Sequence, residues 1–226
     1  MKKLSTMLDL QQQLNDNTNG EGWENGMTKN GKKIDWRRCI YLEAAELIES
    51  YPWKHWKNID ASPDYENIKI EAVDIWHFVL SESLRLYRIE ERGDREALAL
   101  VISKTPAYTA FKEGRRGSDG DYYHEIETVE DFLRSLFCNE PVETLIAKFF
   151  AVARLSGLTL DSLYQLYIGK NILNRFRQDH GYKEGRYIKI WEDREDNVVM
   201  QEILEQDTGI TPEALYSALE AAYPAI

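Results

Sequence analysis

The segment "IKIEAVDIWHFVLS", residues 68–81, decides the fold of this chain. It places two acids, Glu71 and Asp74, among apolar residues that would surround a helix on every side. A helix that is apolar all round is buried. The segment therefore predicts a long, buried helix over about residues 63–88, with Ser62 as its cap and a proline at its first position.

The two acids of this helix have no local partner. Spaced three residues apart, Glu71 and Asp74 share one helix face, and their i+4 neighbours are Ile75 and Phe78, which carry no charge. Burying an ionised carboxylate without a partner is costly. A bound cation is one solution; protonation, or pairing with a distant Arg or Lys, is the alternative.

A second row of acids lies on the preceding predicted helix, which runs from a cap at Asp35 to the residue before Pro52. Glu43, Glu46 and Glu49 follow one another at spacings of three and fall on one flank of that helix. Alone, this row is typical of a solvated face. Combined with the acidic pair of the next helix, it predicts a cluster of hard oxygen ligands suited to Mg²⁺ or Mn²⁺.

The remaining periodicity predicts an all-α multi-helix bundle, in a single domain over residues 1–226. Residues 186–191, "RYIKIW", are the best short strand candidate, and the loop 103–125 is expected to be a mobile insertion. Further helices are predicted over residues 4–14, 95–102, 129–138, 142–155, from 159 up to Gly181, and 211–222.

A basic segment, residues 170–189, interrupts an otherwise acidic chain of net charge −11. Six Lys and Arg residues beside flexible glycines suit the oxygens of a polyphosphate. A solvated basic helix is the alternative. Metal-binding carboxylates and a phosphate-binding strip are together the two halves expected of a nucleotide pyrophosphohydrolase.

Composition and motifs exclude several other classes. The net negative charge disfavours nucleic-acid binding, and neither a signal peptide nor an apolar run of membrane-spanning length is found, so we expect a soluble, cytoplasmic protein. Cys39 and Cys138 lack metal-site spacing, as do the four His, and His77 is expected to be a hydrogen-bonded core residue. No nucleotide-binding glycine motif or nucleophile motif occurs, so the attacking group is expected to be water.

Four stretches carry a resemblance to a known family. "LQQQLN" from residue 10, "EAAE" at 43–46 followed by "YPWKHWKN", then "EAVDIWHFVLS" at 71–81, and finally "GKNILNRFRQDHGYKEGRYIKIW" at 169–191 closely resemble the dimeric, all-α dUTPases. The four acids alone would indicate only the wider all-α nucleoside triphosphate pyrophosphohydrolases, whereas the second and fourth stretches narrow the resemblance to dUTPases.

The resemblance implies a homodimer that hydrolyses dUTP, and dUDP, to dUMP with an attacking water. It makes Glu43, Glu46, Glu71 and Asp74 the Mg²⁺ ligands, with Mn²⁺ as a possible substitute. Glu43 is our choice for the carboxylate that deprotonates the water, although the sequence does not separate it from Glu46. Glu49 departs from the four-acid pattern and either supports the ligands or is solvated.

The resemblance also implies the substrate contacts. Side-chain amides offer a donor and an acceptor to uracil, and Gln11 and Asn15 are the candidates, with the choice among residues 11–13 left open. Trp53 and Phe78 would pack on the base, or else belong to the core. The remaining candidates are Lys170, Arg177 and Lys183 for the phosphates and Asn171 or Asn174 for the sugar hydroxyl.

Two alternatives remain at this point. The first is a related pyrophosphohydrolase that prefers another nucleotide, such as dCTP. The second is a non-catalytic helical binding protein whose acids decorate its surface.

Overall fold

The structure, a computed structural model, describes residues 1–57, 60–114, 120–207 and 209–224. Within these residues the fold is all-α apart from one two-stranded hairpin, which confirms the predicted class. The helices are α1 (Lys2–Asn19), α2 (Trp36–Glu49), α3 (Tyr65–Ile89), α4 (Arg95–Ser103), α5 (Pro106–Lys112), α6 (Tyr122–Phe137), α7 (Val142–Leu155), α8 (Leu160–Asp179), α9 (Asp196–Gln206) and α10 (Pro212–Ala222). A 3₁₀ turn, Trp23–Asn25, follows α1.

The chain divides into two compact units, Met1–Leu163 and Tyr164–Ile226. The single domain over residues 1–226 that the sequence predicts would contain both units, and it stays a prediction. None of the helices in the described ranges has both the length and the apolar character needed to cross a membrane.

In the first unit α3 is the central element, as its apolar sequence predicts. Helix α2 packs along it, and α1, α4 and α7 also contact it. Trp76, in the middle of α3, stacks on Phe149 of α7 with ring centroids 4.6 Å apart, and both side chains are fully buried. Because α2 is held against α3, the acidic faces of these two helices can meet.

Several boundaries differ from the prediction: α1 is longer than 4–14, α2 ends at Glu49 rather than at the residue before Pro52, and α6 begins at Tyr122 rather than at residue 129. Helix α3 begins at Tyr65, and its cap is Asp64 rather than Ser62: the Asp64 carboxylate accepts a hydrogen bond from the backbone N–H of Asn67 at 3.1 Å. The region 103–125 is not loop throughout, because Thr105 caps α5 and α6 already begins at Tyr122. Residues 115–119 lie outside the described residues, and the mobility of this region stays a prediction.

The second unit contains most of α8, then the hairpin, α9 and α10. Strand β1 (Ile190–Trp191) pairs antiparallel with β2 (Arg194–Glu195), so only the last two residues of the predicted strand pair. The two turn residues Glu192 and Asp193 both have positive φ, 47° and 66°, as a tight two-residue hairpin turn requires. Helix α9 follows directly and was not predicted.

A buried carboxylate links α2 to α3 in the first unit, and one of its arginine partners also reaches α6. Glu82 of α3 is 2% exposed and accepts hydrogen bonds from Arg37 Nε at 3.0 Å and from Arg85 Nε at 2.8 Å. Arg37 also donates through Nη1 to the backbone oxygen of Leu136 at 2.9 Å, near the end of α6. The position of the start of α2 against α3 therefore depends on Glu82.

We expect Glu82→Ala to lower the free energy of unfolding by about 3 kcal/mol, because it leaves two partly buried guanidinium groups without their carboxylate. Urea denaturation followed by circular dichroism measures the change. The control is Glu66→Ala, which removes an exposed pair with Lys69 and should cost roughly 0.5 kcal/mol or less. Equal losses for the two variants would contradict the structural role of Glu82.

Candidate active site

The acidic faces of α2 and α3 converge as the sequence predicts. Glu43, Glu46 and Glu71 each offer one carboxylate oxygen, and these oxygens all lie within 4.8 Å of one another. Glu71 is buried, Glu43 is half-buried and Glu46 is exposed, so the cluster is open to ligands on one side. Hard oxygen donors at this spacing fit a divalent cation such as Mg²⁺, and the three residues could hold one.

The other two acids are placed differently. Asp74, one turn beyond Glu71 on α3, is half-buried and is not part of the group of three within the described residues. Its apolar neighbours in sequence predicted deeper burial than the packing provides. Glu49 is exposed and forms an ion pair with Lys54, so this acid has a basic partner beyond the end of α2.

A buried polar network occupies the contact between α1 and α3. Gln11 and Asn15 are 2% and 3% exposed, and their side-chain amides donate to Ser81 Oγ at 2.9 and 3.0 Å. His77 Nδ1 lies 2.7 Å from Gln11 Oε1, and because an amide oxygen only accepts, the histidine donates. The prediction of His77 as a hydrogen-bonded core residue is confirmed. Ser81 was not predicted, since a serine on an apolar helix gives no signal in the sequence.

The structure distinguishes among the three consecutive glutamines. Gln11 faces the interior, whereas Gln12 donates to Asp16 and Glu24, each at 3.0 Å, and Gln13 is exposed. Gln11 is therefore the glutamine that shares a buried network with Asn15, in agreement with the i, i+4 spacing.

The two candidate aromatic residues lie on different elements. Phe78, half-buried on α3, stacks on Trp36 at the start of α2 with ring centroids 5.9 Å apart and an interplanar angle of 27°. Trp53 packs edge-to-face against Trp56 at 5.7 Å. The indole N–H of Trp53 is buried and has no hydrogen-bond partner among the described residues. A ligand acceptor could satisfy that donor, since buried polar groups are normally paired.

In the second unit the candidate phosphate ligands contact side chains that the prediction did not include. Arg177 donates through Nε and Nη2 to both carboxylate oxygens of Asp196, at 2.8 Å each. Lys170 is buried, and its Nζ donates to Asn197 Oδ1 at 2.9 Å. Lys183 is exposed.

The two candidate sugar ligands also differ. Asn174 Oδ1 accepts a hydrogen bond from Arg177 Nη1 at 3.2 Å. The Asn171 amide nitrogen is buried, and the Asn171 side chain interacts with the Tyr167 hydroxyl. Each asparagine therefore has a polar neighbour, and the assignment of Asn171 or Asn174 to the sugar stays a prediction.

A cavity of about 710 Å³ in the first unit does not mark this site. It is lined by Gln12 of α1, by Glu24 of the 3₁₀ turn and by residues of α3, α4 and the loop between these two helices, including Arg88 and Arg95, and by none of the carboxylates of the acidic cluster. The polar network and the acidic cluster locate the site better than cavity size does.

Comparison with known proteins agrees with the geometry. A family model described as dUTPase matches residues 3–182, which include all the predicted catalytic residues and all but the last, residue 183, of the predicted ligand contacts. No curated protein matches the chain. The match spans most of the chain and the helical fold is consistent with it, so the chain belongs to the dUTPase family and is a hydrolase that acts on dUTP.

Proposed function

We propose that this enzyme uses Mg²⁺, held by Glu43, Glu46, Glu71 and Asp74, to hydrolyse dUTP to dUMP and pyrophosphate. We also propose that it converts dUDP to dUMP and phosphate. The observation that carries the proposal is the convergence of three carboxylates from two helices within 4.8 Å. Mn²⁺, with the same preference for oxygen ligands, is the expected substitute.

The carboxylates of the cluster have two tasks. A bound Mg²⁺ supplies charge neutralisation to the phosphate oxygens. Glu43 orients the attacking water through one carboxylate oxygen and accepts its proton there. Glu43 is half-buried whereas Glu46 is exposed, and this more shielded position supports Glu43 over Glu46 for this role.

Recognition of the base is assigned to the buried amides. Gln11 and Asn15 present donors and acceptors to the imide edge of uracil, and hydrogen bonds to Ser81 and His77 hold the Gln11 amide in one orientation. Phe78 and Trp53 pack on the base. Cytosine presents the opposite arrangement of donor and acceptor on this edge, so a fixed amide discriminates between the two bases.

The phosphates and the sugar are assigned to a further set of residues in this proposal. Lys170, Arg177 and Lys183 bind phosphate oxygens, and Asn171 or Asn174 donates to the 3′-hydroxyl of the sugar. We further propose that the enzyme is a homodimer in the cytoplasm. Membership in a family of enzymes removes the alternative of a non-catalytic binding protein.

The test is pyrophosphate and phosphate release from dUTP, dUDP, dCTP and TTP, each with Mg²⁺ and with a chelator. We expect kcat/KM for dUTP to exceed that for dCTP by at least about a hundredfold, because the site hydrogen-bonds the base. Activity on dUTP and dUDP should be lost in the chelator and return with Mg²⁺. Equal rates with dUTP and dCTP would contradict the assignment of Gln11 and Asn15 to uracil.

A further inference from the structure

We infer that Asp196 and Asn197, at the start of α9, are positioning residues that hold Arg177 and Lys170 in the orientation that binds the phosphates of dUTP. This inference rests on the proposed function of these two cations. Asp196 and Asn197 lie beyond residue 182, where the family match ends.

Asp196 fixes the guanidinium of Arg177 through a two-point contact. Its carboxylate is completely buried and receives Arg177 Nε on one oxygen and Nη2 on the other, at 2.8 Å each. A bidentate pair of this kind fixes the plane of the guanidinium as well as its distance. The Tyr187 hydroxyl donates to the same carboxylate at 2.8 Å, so the carboxylate is itself held in place.

The carboxylate of Asp196 stays ionised. Burial by itself would raise its pKa, but hydrogen bonds and charge from Arg177, together with the Tyr187 hydroxyl and the charge of Lys170, outweigh burial, and the pKa is lowered. The ion pair is therefore complete at neutral pH.

Asn197 connects the two cations. Its Oδ1 accepts from Lys170 Nζ at 2.9 Å and from Arg177 Nη2 at 3.3 Å. A lysine side chain has several rotatable bonds, and an acceptor at a fixed position removes part of that freedom before substrate arrives. One amide oxygen thus sets the spacing between two positive charges.

Local packing explains why the start of α9 reaches these residues. Gly169 precedes Lys170 on α8, and a Cβ at that position would lie 2.7 Å from Leu204 and 3.0 Å from Met200, both on α9. The glycine therefore permits a close approach of α9 to α8. The hairpin adds a second constraint, because the backbone N–H of Asp196 donates to the carbonyl of Lys189 at 3.0 Å.

The test combines single variants and a double-mutant cycle, with kcat and KM measured for dUTP. We expect Asp196→Asn to raise KM about tenfold with a smaller change in kcat, since contacts to the unreacting phosphates affect ground state and transition state alike. The double variant Asp196→Asn with Arg177→Lys should be no worse than Arg177→Lys alone, because Asp196 acts through Arg177. Multiplied effects in the double variant, or an unchanged KM in Asp196→Asn, would overturn the inference.

Two further variants keep the test decisive. If Asp196→Asn does not fold, Asn197→Ala tests the inference instead. Asn197 is half-buried, and its side chain can be truncated while Asp196 stays intact. We expect KM for dUTP to rise roughly threefold to tenfold in this variant. An unchanged KM there would overturn the inference. Glu202→Gln on α9, which removes the charge of an exposed pair with Arg194 of β2, is the matched control and should leave kcat and KM unchanged.

The failure of this inference can be told apart from failure of the proposed function. If Arg177→Lys raises KM and Asp196→Asn does not, Arg177 binds phosphate without help from Asp196 and only the inference fails. If neither variant changes KM, the assignment of Arg177 to the phosphates is wrong, and the inference fails with it.

Discussion

Glu71→Gln is expected to reduce kcat for dUTP at least about a thousandfold, which corresponds to roughly 4 kcal/mol of transition-state stabilisation. Glu71 is the buried member of the three-carboxylate cluster. Glutamine keeps the shape of the side chain and one oxygen, but it removes the negative charge that a divalent cation requires. The measurement is pyrophosphate release at saturating dUTP and Mg²⁺.

A second readout separates loss of the metal from loss of the fold. The wild-type enzyme should melt at a higher temperature when Mg²⁺ and a non-hydrolysable dUTP analogue are added, because ligands stabilise the state that binds them. Glu71→Gln should melt normally without ligand and lose most of this rise. The control is Glu49→Gln. Glu49 also lies on α2, but it is paired with Lys54 and does not belong to the cluster. Wild-type turnover in Glu71→Gln would remove Glu71 from the site.

Gln11→Met is expected to lower kcat/KM for dUTP roughly a hundredfold while leaving the low value for dCTP nearly unchanged, because the variant loses the amide that reads the base. Methionine has nearly the volume of glutamine and no hydrogen-bonding amide. The ratio of the two kcat/KM values is the measurement, since a general loss of stability would lower both.

The control for this prediction is Gln13→Met, two residues along on the exposed face of α1. It should keep the wild-type preference for dUTP. Some loss of stability is expected in Gln11→Met because Ser81 and His77 lose a partner. Assays are therefore run well below the melting temperature of the variant. An unchanged dUTP-to-dCTP ratio would contradict the role of Gln11.

Much of the helical fold could be predicted from the sequence, because the long helices carry an apolar period and several of them also carry a start signal. Asp35 caps α2 through a side-chain hydrogen bond, as predicted, and Thr211 caps α10 in the same way. The cap of α3 was predicted two residues early, since Ser62-Pro63 and Asp64 are both good start signals and only packing chooses between them. Helices α5 and α9 were missed: α5 is short, and α9 follows a hairpin that the sequence signals only weakly.

For the candidate site, too, the sequence predicted some features and missed others. Spacing predicted the convergence of Glu43, Glu46 and Glu71, because residues three apart on a helix share a face and burial of α3 required a neighbour for that face. Spacing could not predict the ion pair between Glu49 and Lys54, which forms past the end of α2. Nor could it predict that Asp74 would be only half-buried, because the exposure of one flank depends on which helices cover it.

The sequence by itself determined most of the helices, the acidic faces and the family, since these depend on residue types at short, regular spacing. Only the tertiary structure decided which glutamine faces the interior, that Ser81 and His77 hold it, and that Asp196 and Asn197 contact the two cations. These contacts join residues 19 to 70 positions apart along the chain. A hydrogen bond depends on distance and direction in space, and no local pattern in the sequence records those for residues on separate helices.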